Sequence, residues 1–446
     1  MRFSAAFSLP LLLLASVTSS FTPAFSQQLL APTPPMGWNS WDAYGSAVTE
    51  AEVRANAAAM ARELKPFGWN YIVVDIQWYE PGAHAGGYRP GAPLDMDSNG
   101  RLIPAVNRFP SSANGAGFGP LADYVHSLGL QFGIHILRGI PRQAANSSGT
   151  VAGTSIRLAD IADRSSTCQW NTDMFGVDMT KPGAQAYYDS LAALYASWHV
   201  DFVKADDMSR PYHAAEISAL HHAILHSGRP MVLSLSPGPA PPAQIQSLRD
   251  NAQMWRVSDD VWDRWDAIRK SFDYAETWAS LIAPGHWPDQ DMLPLGHLGI
   301  RAHVGTDRMT RLTHDEQQSL ITLWAMVRSP LIFGGDIVTL DPFTRSLLTN
   351  RVVLEIDQHS SHNRLIASNG PLRVWAADTP DGHHYVALFN LGDHESTFTL
   401  PAAQLGAPVV PLNTQEVWTR HTLKEPRSAP LETNIPSHGV RLYRLN

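Results

Sequence analysis

Asp201-Phe202-Val203-Lys204-Ala205-Asp206-Asp207 reads as an apolar strand that runs into a lysine and two carboxylates. Charge gathered at a strand end is costly to fold around, because a buried ion forfeits its hydration, so such a cluster usually belongs to a site. The bland alternative is an Asp-rich turn that Lys204 neutralises. Recurrence decides between them: in a β/α barrel the C-terminal ends of all strands converge on one face, and residues distant in sequence become neighbours.

From Met36 onward, short β-type runs do alternate with helix-type segments, about eight times, the number a (β/α)8 TIM barrel requires. The candidate strands are Met36–Trp38, Tyr71–Ile76, Gln131–Ile136, Asp201–Asp206, Met231–Ser236, Met254–Ser258, the stretch around Trp287–Leu293, and Pro330–Phe333. Helical patterns between them include Thr49–Leu64, whose Thr49-x-x-Glu52 start has the form of a capping box, and Lys181–Trp198, His213–His226 and Thr313–Val327. Two long stretches, Tyr79–Asn114 and Pro141–Thr180, are rich in Gly, Pro, Ser and Asn and follow strand ends, the face where such barrels build their sites. After about Asp357 the pattern changes. Leu372–Ala377, Tyr385–Asn390 and Ser396–Leu400 alternate at period two with no helical stretch between them. The expected organisation is a catalytic barrel over 27–350 and a C-terminal antiparallel β-sandwich over 351–446.

Residues 1–26 have the form of a secretory signal: Arg2 supplies the positive start, Leu9 to Val17 the apolar run, and Ala24-Phe25-Ser26 a small-x-small cleavage site before Gln27. The run is too short to span a bilayer, so an exported protein of periplasm or medium, without a membrane partner, is expected. The 446 residues carry 33 basic and 41 acidic groups, a formal net charge of −8, with no basic run, which argues against a nucleic-acid partner. A Trp-rich, weakly charged chain suits a neutral polar ligand such as a sugar. Cys168 is the only cysteine, so no intrachain disulfide forms, and with no base paired to it the residue reads as a buried bystander.

The strand ends carry the chemistry. Asp75 ends the second candidate strand, His135 the third, Lys204 and Asp206 the fourth, Ser236 the fifth, Arg256 with Asp259 and Asp260 the sixth, and Asp289 and Asp291 the seventh. A single such residue can be a helix cap, as Asp42 or Asp207 can, but a set spread over this many strand ends points to one shared polar site. Convergent carboxylates beside Lys, Arg and Trp suit glycoside hydrolysis: the acetal needs a proton on its leaving oxygen and an anion facing the oxocarbenium-like carbon. A metal site is the rival for an Asp cluster, yet no His-x-x-x-His or His-x-Asp stands at a strand end, and His221, His222 and His226 fall on a predicted helix. Neither metal nor cofactor is expected.

Pro35-Met36-Gly37-Trp38-Asn39-Ser40-Trp41, Val74-Asp75, Lys204-Ala205-Asp206, Arg256-Val257-Ser258-Asp259-Asp260 and Trp287-Pro288-Asp289-Gln290-Asp291-Met292, in that order, resemble the α-galactosidase (melibiase) family, glycoside hydrolase family 27. The likeness runs from about Pro34 to Asp341, and the tail is similar to that family's C-terminal β domain. It implies Asp206 as nucleophile and Asp260 as acid/base of a retaining double displacement. It also implies that Lys204, Arg256, Asp75 and Asp291 bind ring hydroxyls and that Trp41 and Met292 offer apolar walls, although core packing explains Trp41 nearly as well. The chemistry agrees: Lys204, on the same strand face as Asp206, can hold it ionised, and the like-charged Asp259 favours a proton on Asp260. The implied partner is an oligo- or polysaccharide with terminal galactosyl or arabinopyranosyl units.

Three positions depart from the family pattern. Typical α-galactosidases end the second strand in two acidic residues that hold the 4- and 6-hydroxyls of galactose; here the pair is Asp75-Ile76. β-L-arabinopyranose has the ring stereochemistry of α-D-galactose without the hydroxymethyl arm, so an apolar Ile76 tilts the expected substrate towards it. His135 stands where the family often has Tyr. Ser236 replaces an acidic residue near the 2-position, where the smaller side chain suits an N-acetyl group as in α-N-acetylgalactosaminidases. A transglycosylase using the same intermediate and a non-catalytic carbohydrate-binding barrel are the remaining alternatives, the latter disfavoured by the presence of both carboxylates.

Overall fold

The computed structural model describes residues 1, 29–401, 405, 414–423 and 430–445. Apart from Met1, the signal-like segment 1–26 lies outside the described residues. Eight parallel strands, β1 Met36–Asn39, β2 Tyr71–Val74, β3 Gln131–Leu137, β4 Phe202–Asp206, β5 Val232–Leu235, β6 Met254–Arg256, β7 Trp287–Asp289 and β8 Leu331–Phe333, form one sheet in the order β7-β6-β5-β4-β3-β2-β1-β8. Leu293, just beyond β7, closes the ring: it pairs in parallel with Phe333, its N–H donating to the Ile332 carbonyl at 2.7 Å.

Strand alternation sorts the side chains. Phe202, Val232, Met254 and Trp287 join Tyr71 and Val73 in a small apolar cluster inside the barrel, while Val203, Ala205, Leu233 and Trp255 face the surrounding helices. One step further along the same inner face the residues turn polar: Lys204 and Asp206 on β4, Arg256 on β6, Asp289 on β7. The strand pattern thus fills the barrel floor with apolar side chains and raises the charged ones to its C-terminal mouth.

Helices α1 Glu50–Glu63, α2 Gly119–Ser127, α3 Ala184–Ser197, α4 Ala214–His226, α5 Ile245–Asn251, α6 Trp265–Trp278 and α7 His314–Met326 surround the sheet. At the start of α1 the Glu52 carboxylate accepts from the Thr49 N–H at 2.9 Å and from its hydroxyl at 2.8 Å, the reciprocal cap the sequence predicts. The stretch Pro141–Thr180 is not wholly irregular. Ala162–Thr167 and Met174–Val177 pair antiparallel, and Ile140–Pro141 adds to the second of these. The chain reaches this sheet through Gly139, at φ 92°, where an added Cβ would stand 1.9 Å from the Phe175 carbonyl oxygen. Only glycine fits so close an approach.

The barrel ends with α8 Pro342–Leu348 and α9 Arg351–His359. A division at 350/351 assigns α9 to the β module, but α9 carries a strongly amphipathic pattern, buries Val353, Leu354 and Ile356, and packs against α7. The strands start after it. A six-stranded antiparallel sheet contains β9 Ser361–Asn369, β10 Leu372–Asp378 and β11 His384–Asn390, and β12 Ser396–Leu400 pairs with Leu431–Ile435 in a second sheet. Leu372, Val374, Val386 and Leu388 meet Leu400 and Ile435 between the two sheets. The opposite face of β10 and β11, with Trp375, Tyr385, Ala387 and Phe389, belongs to the same core as the barrel helices, and Phe389 meets Phe272 of α6 edge-on at 5.0 Å.

Candidate active site

The polar strand ends meet in a cavity of about 400 Å³ at the barrel mouth. Trp41, Asp75, Ile76, Lys204, Asp206, Asp260 and Met292 line it, His135 and Arg256 stand directly behind, bonded to Asp206 and Asp260, and Asp291 in turn bonds Arg256. Ser236 does not reach it. Its side chain is buried, its hydroxyl meets no partner among the described residues, and Pro237 forms the wall in its place.

Asp75 is the most heavily bonded carboxylate. One oxygen accepts from Asn39 Nδ2 at 2.7 Å and Lys204 Nζ at 2.8 Å, and the other from the Ile76 N–H at 2.8 Å. Burial alone raises its pKa, but the Lys204 and His135 charges outweigh burial and hold the carboxyl far below the usual range. Lys204 therefore bonds Asp75 rather than Asp206, because its ammonium bridges across β3 towards β2. The partner of Asp206 is His135: its Nε2 lies 3.2 Å from Asp206 Oδ2, while Oδ1 accepts from the Asp207 N–H at 2.9 Å. Burial pushes the Asp206 carboxyl up, and His135, with Lys204 behind it, pulls it below its ordinary value. His135 thus shares with Lys204 the role that the strand pattern assigned to Lys204.

Asp260 sits at the rim with 63% of its side chain exposed, 3.3 Å from Arg256. Asp259 also lines the cavity, its carboxylate paired with Arg210 at 2.5 Å and Lys270 at 3.8 Å. Arg256 also pairs with Asp291 at 2.7 Å, whose second oxygen accepts from the Val261 N–H at 2.7 Å. Burial, with Asp260 and Asp289 nearby, raises the Asp291 carboxyl against the pull of Arg256. The Arg256–Asp291 pair thereby ties the loop that carries Asp260 to the loop after β7.

Besides Arg210 and Pro237, three lining residues escape the strand-end reading. Tyr88 comes from the first long insert, Trp170 from the second, and His303 from the segment between β7 and β8. Tyr88 stacks on Trp41 at 5.9 Å and on His303 at 5.3 Å, and Trp170 tilts against Tyr88 at 5.5 Å with 39% of its surface exposed. They form an aromatic wall continuous with Trp41, which is itself both buried and part of the lining. No periodicity marks them; the length and composition of the inserts are the only signal.

The chain that folds into this site resembles known proteins along most of its length. A family model described as alpha galactosidase A matches residues 176–359, and one described as the alpha galactosidase C-terminal beta sandwich domain matches 369–445. A β-L-arabinopyranosidase of glycoside hydrolase family 27 from Geobacillus stearothermophilus is 50% identical, with a TM-score of 0.90 over 94% of this chain and 97% of that one. The chain belongs to the α-galactosidase (melibiase) family, glycoside hydrolase family 27. This melibiase-family protein is a glycoside hydrolase. The α-galactosidase of Coffea arabica is 30% identical over 93% of this chain and 94% of its own length, and the α-N-acetylgalactosaminidase of Gallus gallus is 26% identical over 85% and 84%.

Proposed function

We propose that the enzyme is an exported, retaining exo-glycosidase that removes terminal β-L-arabinopyranosyl units from an oligo- or polysaccharide in preference to α-D-galactosyl units. The observation that carries this reading is Ile76. It is only 1% exposed, lines the cavity, and follows directly on Asp75, to which its N–H is bonded. A galactose 6-hydroxyl buried against Ile76 has no acceptor there, at a cost of about 1–3 kcal/mol; arabinopyranose brings no such hydroxyl. The 50% identical relative is a β-L-arabinopyranosidase, and a variant of it has been solved with arabinose, which supports the same choice. An N-acetylgalactosaminide finds less support, because Ser236 lies behind the wall.

In the proposed reaction Asp206, kept ionised by His135 and Lys204, attacks the anomeric carbon while Asp260 protonates the leaving glycosidic oxygen. The glycosyl–Asp206 ester is then hydrolysed by water that Asp260 deprotonates, and the sugar leaves with its configuration retained. Asp75 and Lys204 hold ring hydroxyls, Arg256 and Asp291 steady the Asp260 loop, and Trp41 and Met292 form apolar walls. Export rests on residues 1–26, and a mature chain beginning at Gln27 in periplasm or medium is its signature.

The test is a panel of p-nitrophenyl glycosides. kcat/KM is expected to be highest for the β-L-arabinopyranoside, then the α-D-galactoside, then the α-N-acetylgalactosaminide; a clear preference for the galactoside overturns the reading. A 2-deoxy-2-fluoro glycosyl fluoride should label the peptide that contains Asp206, and a label elsewhere reassigns the nucleophile.

A further inference from the structure

Behind the cavity lies a second, fully buried group of charges that the proposed reaction does not use. Asp207 adopts the left-handed backbone conformation, φ 60°, which Asp tolerates better than most residues but which glycine alone adopts without strain. Arg138 grips it twice: Nε donates to the Asp207 carbonyl at 2.9 Å, and Nε and the terminal nitrogen donate to Oδ2 at 3.1 and 2.8 Å. The other arm of the guanidinium reaches Glu216 at 2.6 Å, and Glu216 in turn accepts from the Tyr188 hydroxyl at 2.6 Å and the Val177 N–H at 3.1 Å. Arg138, Asp207 and Glu216 are 2%, 4% and 6% exposed, so no solvent competes for these bonds. The Arg138 N–H also donates to the Asp206 carbonyl at 3.0 Å, which registers β3 against the end of β4.

The turn so fixed has one output into the site: the Asp207 N–H lies 2.9 Å from Asp206 Oδ1, opposite the His135 contact on Oδ2. Held from both sides, the carboxylate cannot swing about its terminal torsion, which is otherwise broad. We propose that Arg138 and Asp207 are positioning residues for the reaction, holding the peptide after Asp206 in a left-handed turn that aims its N–H at the nucleophile. This rests on the proposed role of Asp206. A reacting atom displaced by about 1 Å loses on the order of 10²-fold in rate, which sets the expected size of the effect.

The experiment compares Asp207→Ala with Asp207→Gly, measuring kcat, KM and the thermal midpoint with p-nitrophenyl β-L-arabinopyranoside or the galactoside. Both variants lose the same carboxylate and leave Arg138 to Glu216 and the backbone carbonyl of residue 207, so charge and packing losses are shared. Only glycine keeps the left-handed turn without strain. Asp207→Ala is expected to lower kcat about 10- to 100-fold with KM within about twofold, and Asp207→Gly to stay within about fivefold of the parent. Arg138→Lys, which keeps the charge and loses the fork, should lower kcat in the parent and far less in the Asp207→Gly background. Equal impairment of the Ala and Gly variants, wild-type kcat in Asp207→Ala, or an equal Arg138→Lys effect in both backgrounds overturns the proposal. If Asp207→Ala does not fold, a folded Asp207→Gly protein with kcat down about 100-fold is enough to overturn it, and kcat within about fivefold upholds it. Asp206→Asn, run in parallel, separates the two readings: turnover in that variant removes the nucleophile assignment and the positioning role with it, whereas an inactive Asp206→Asn beside a normal Asp207→Ala removes the positioning role alone.

Discussion

Replacing Ile76 by aspartate supplies the acceptor that the proposed galactose 6-hydroxyl lacks. Two costs oppose it: the new carboxylate lies at a position 1% exposed and next to Asp75, and the nearby ammonium of Lys204 is already bonded to Asp75 at 2.8 Å. Removing the isoleucine also gives up roughly 1.5–3 kcal/mol of apolar burial. These costs fall on every substrate alike, so they lower absolute rates and cancel in the ratio of kcat/KM for α-D-galactoside over β-L-arabinopyranoside. What remains in the ratio is the rescued hydroxyl, about 1–3 kcal/mol, or roughly 5- to 150-fold in favour of galactoside. Paired p-nitrophenyl substrates at one pH give the ratio directly, with circular dichroism as the check on folding. Ile76→Asn avoids the charge and should move the ratio the same way by less. A ratio that stays within about twofold in both folded variants refutes the argument that Ile76 selects the substrate.

Lys204→Met leaves Asp75 buried without its cation and is expected to cost on the order of 3–5 kcal/mol in urea unfolding at pH 7. Because the folded Asp75 carboxyl lies below its unfolded value, the stability it contributes is full above the unfolded pKa of about 3.9 and lost as pH falls below it, so the gap between parent and variant should narrow in acid. A gap independent of pH contradicts the assignment. His135→Leu removes the hydrogen bond that favours ionised Asp206, which lets the carboxyl rise, so the acidic limb of kcat/KM should move to higher pH; an unmoved limb argues that another group sets it. Gly139→Ala drives a Cβ into the Phe175 carbonyl and should lower stability by roughly 1–3 kcal/mol, read as a fall in thermal midpoint.

The barrel strands were legible because their inner faces follow a simple rule, apolar then charged, as in Phe202, Lys204, Asp206 or Trp287, Asp289. The tail was legible because its short apolar runs have no helical stretch between them, but the expected period-two alternation fails in β10 and β11, where consecutive residues such as Tyr385 to Phe389 are buried on both faces. Partner choice was not. The alternation puts Lys204 and Asp206 on one face, but only the tilt of neighbouring strands shows that the lysine reaches Asp75 and that His135 reaches Asp206. Asp259 and Asp260 are adjacent in sequence, yet the turn after β6 sends one to Arg210 and Lys270 and leaves the other at the rim. Tyr88, Trp170 and His303 stayed hidden because inserts have no period to read, and Arg138 because nothing local links it to a residue 69 positions away.

The large sheet of the C-terminal module is a middle layer, apolar on both faces, with the small sheet on one side and α6 and α7 on the other. A layer of that kind has no solvent-ready surface, so the barrel cannot be separated from the tail by cutting the linker. It also limits how the two parts can be inherited: a barrel recombined with a tail from a distant relative would have to match Trp375, Tyr385 and Phe389 side chain by side chain before it could fold at all. Variation in substrate choice is therefore free to accumulate in the inserts at the barrel mouth, while the barrel and its tail must change together.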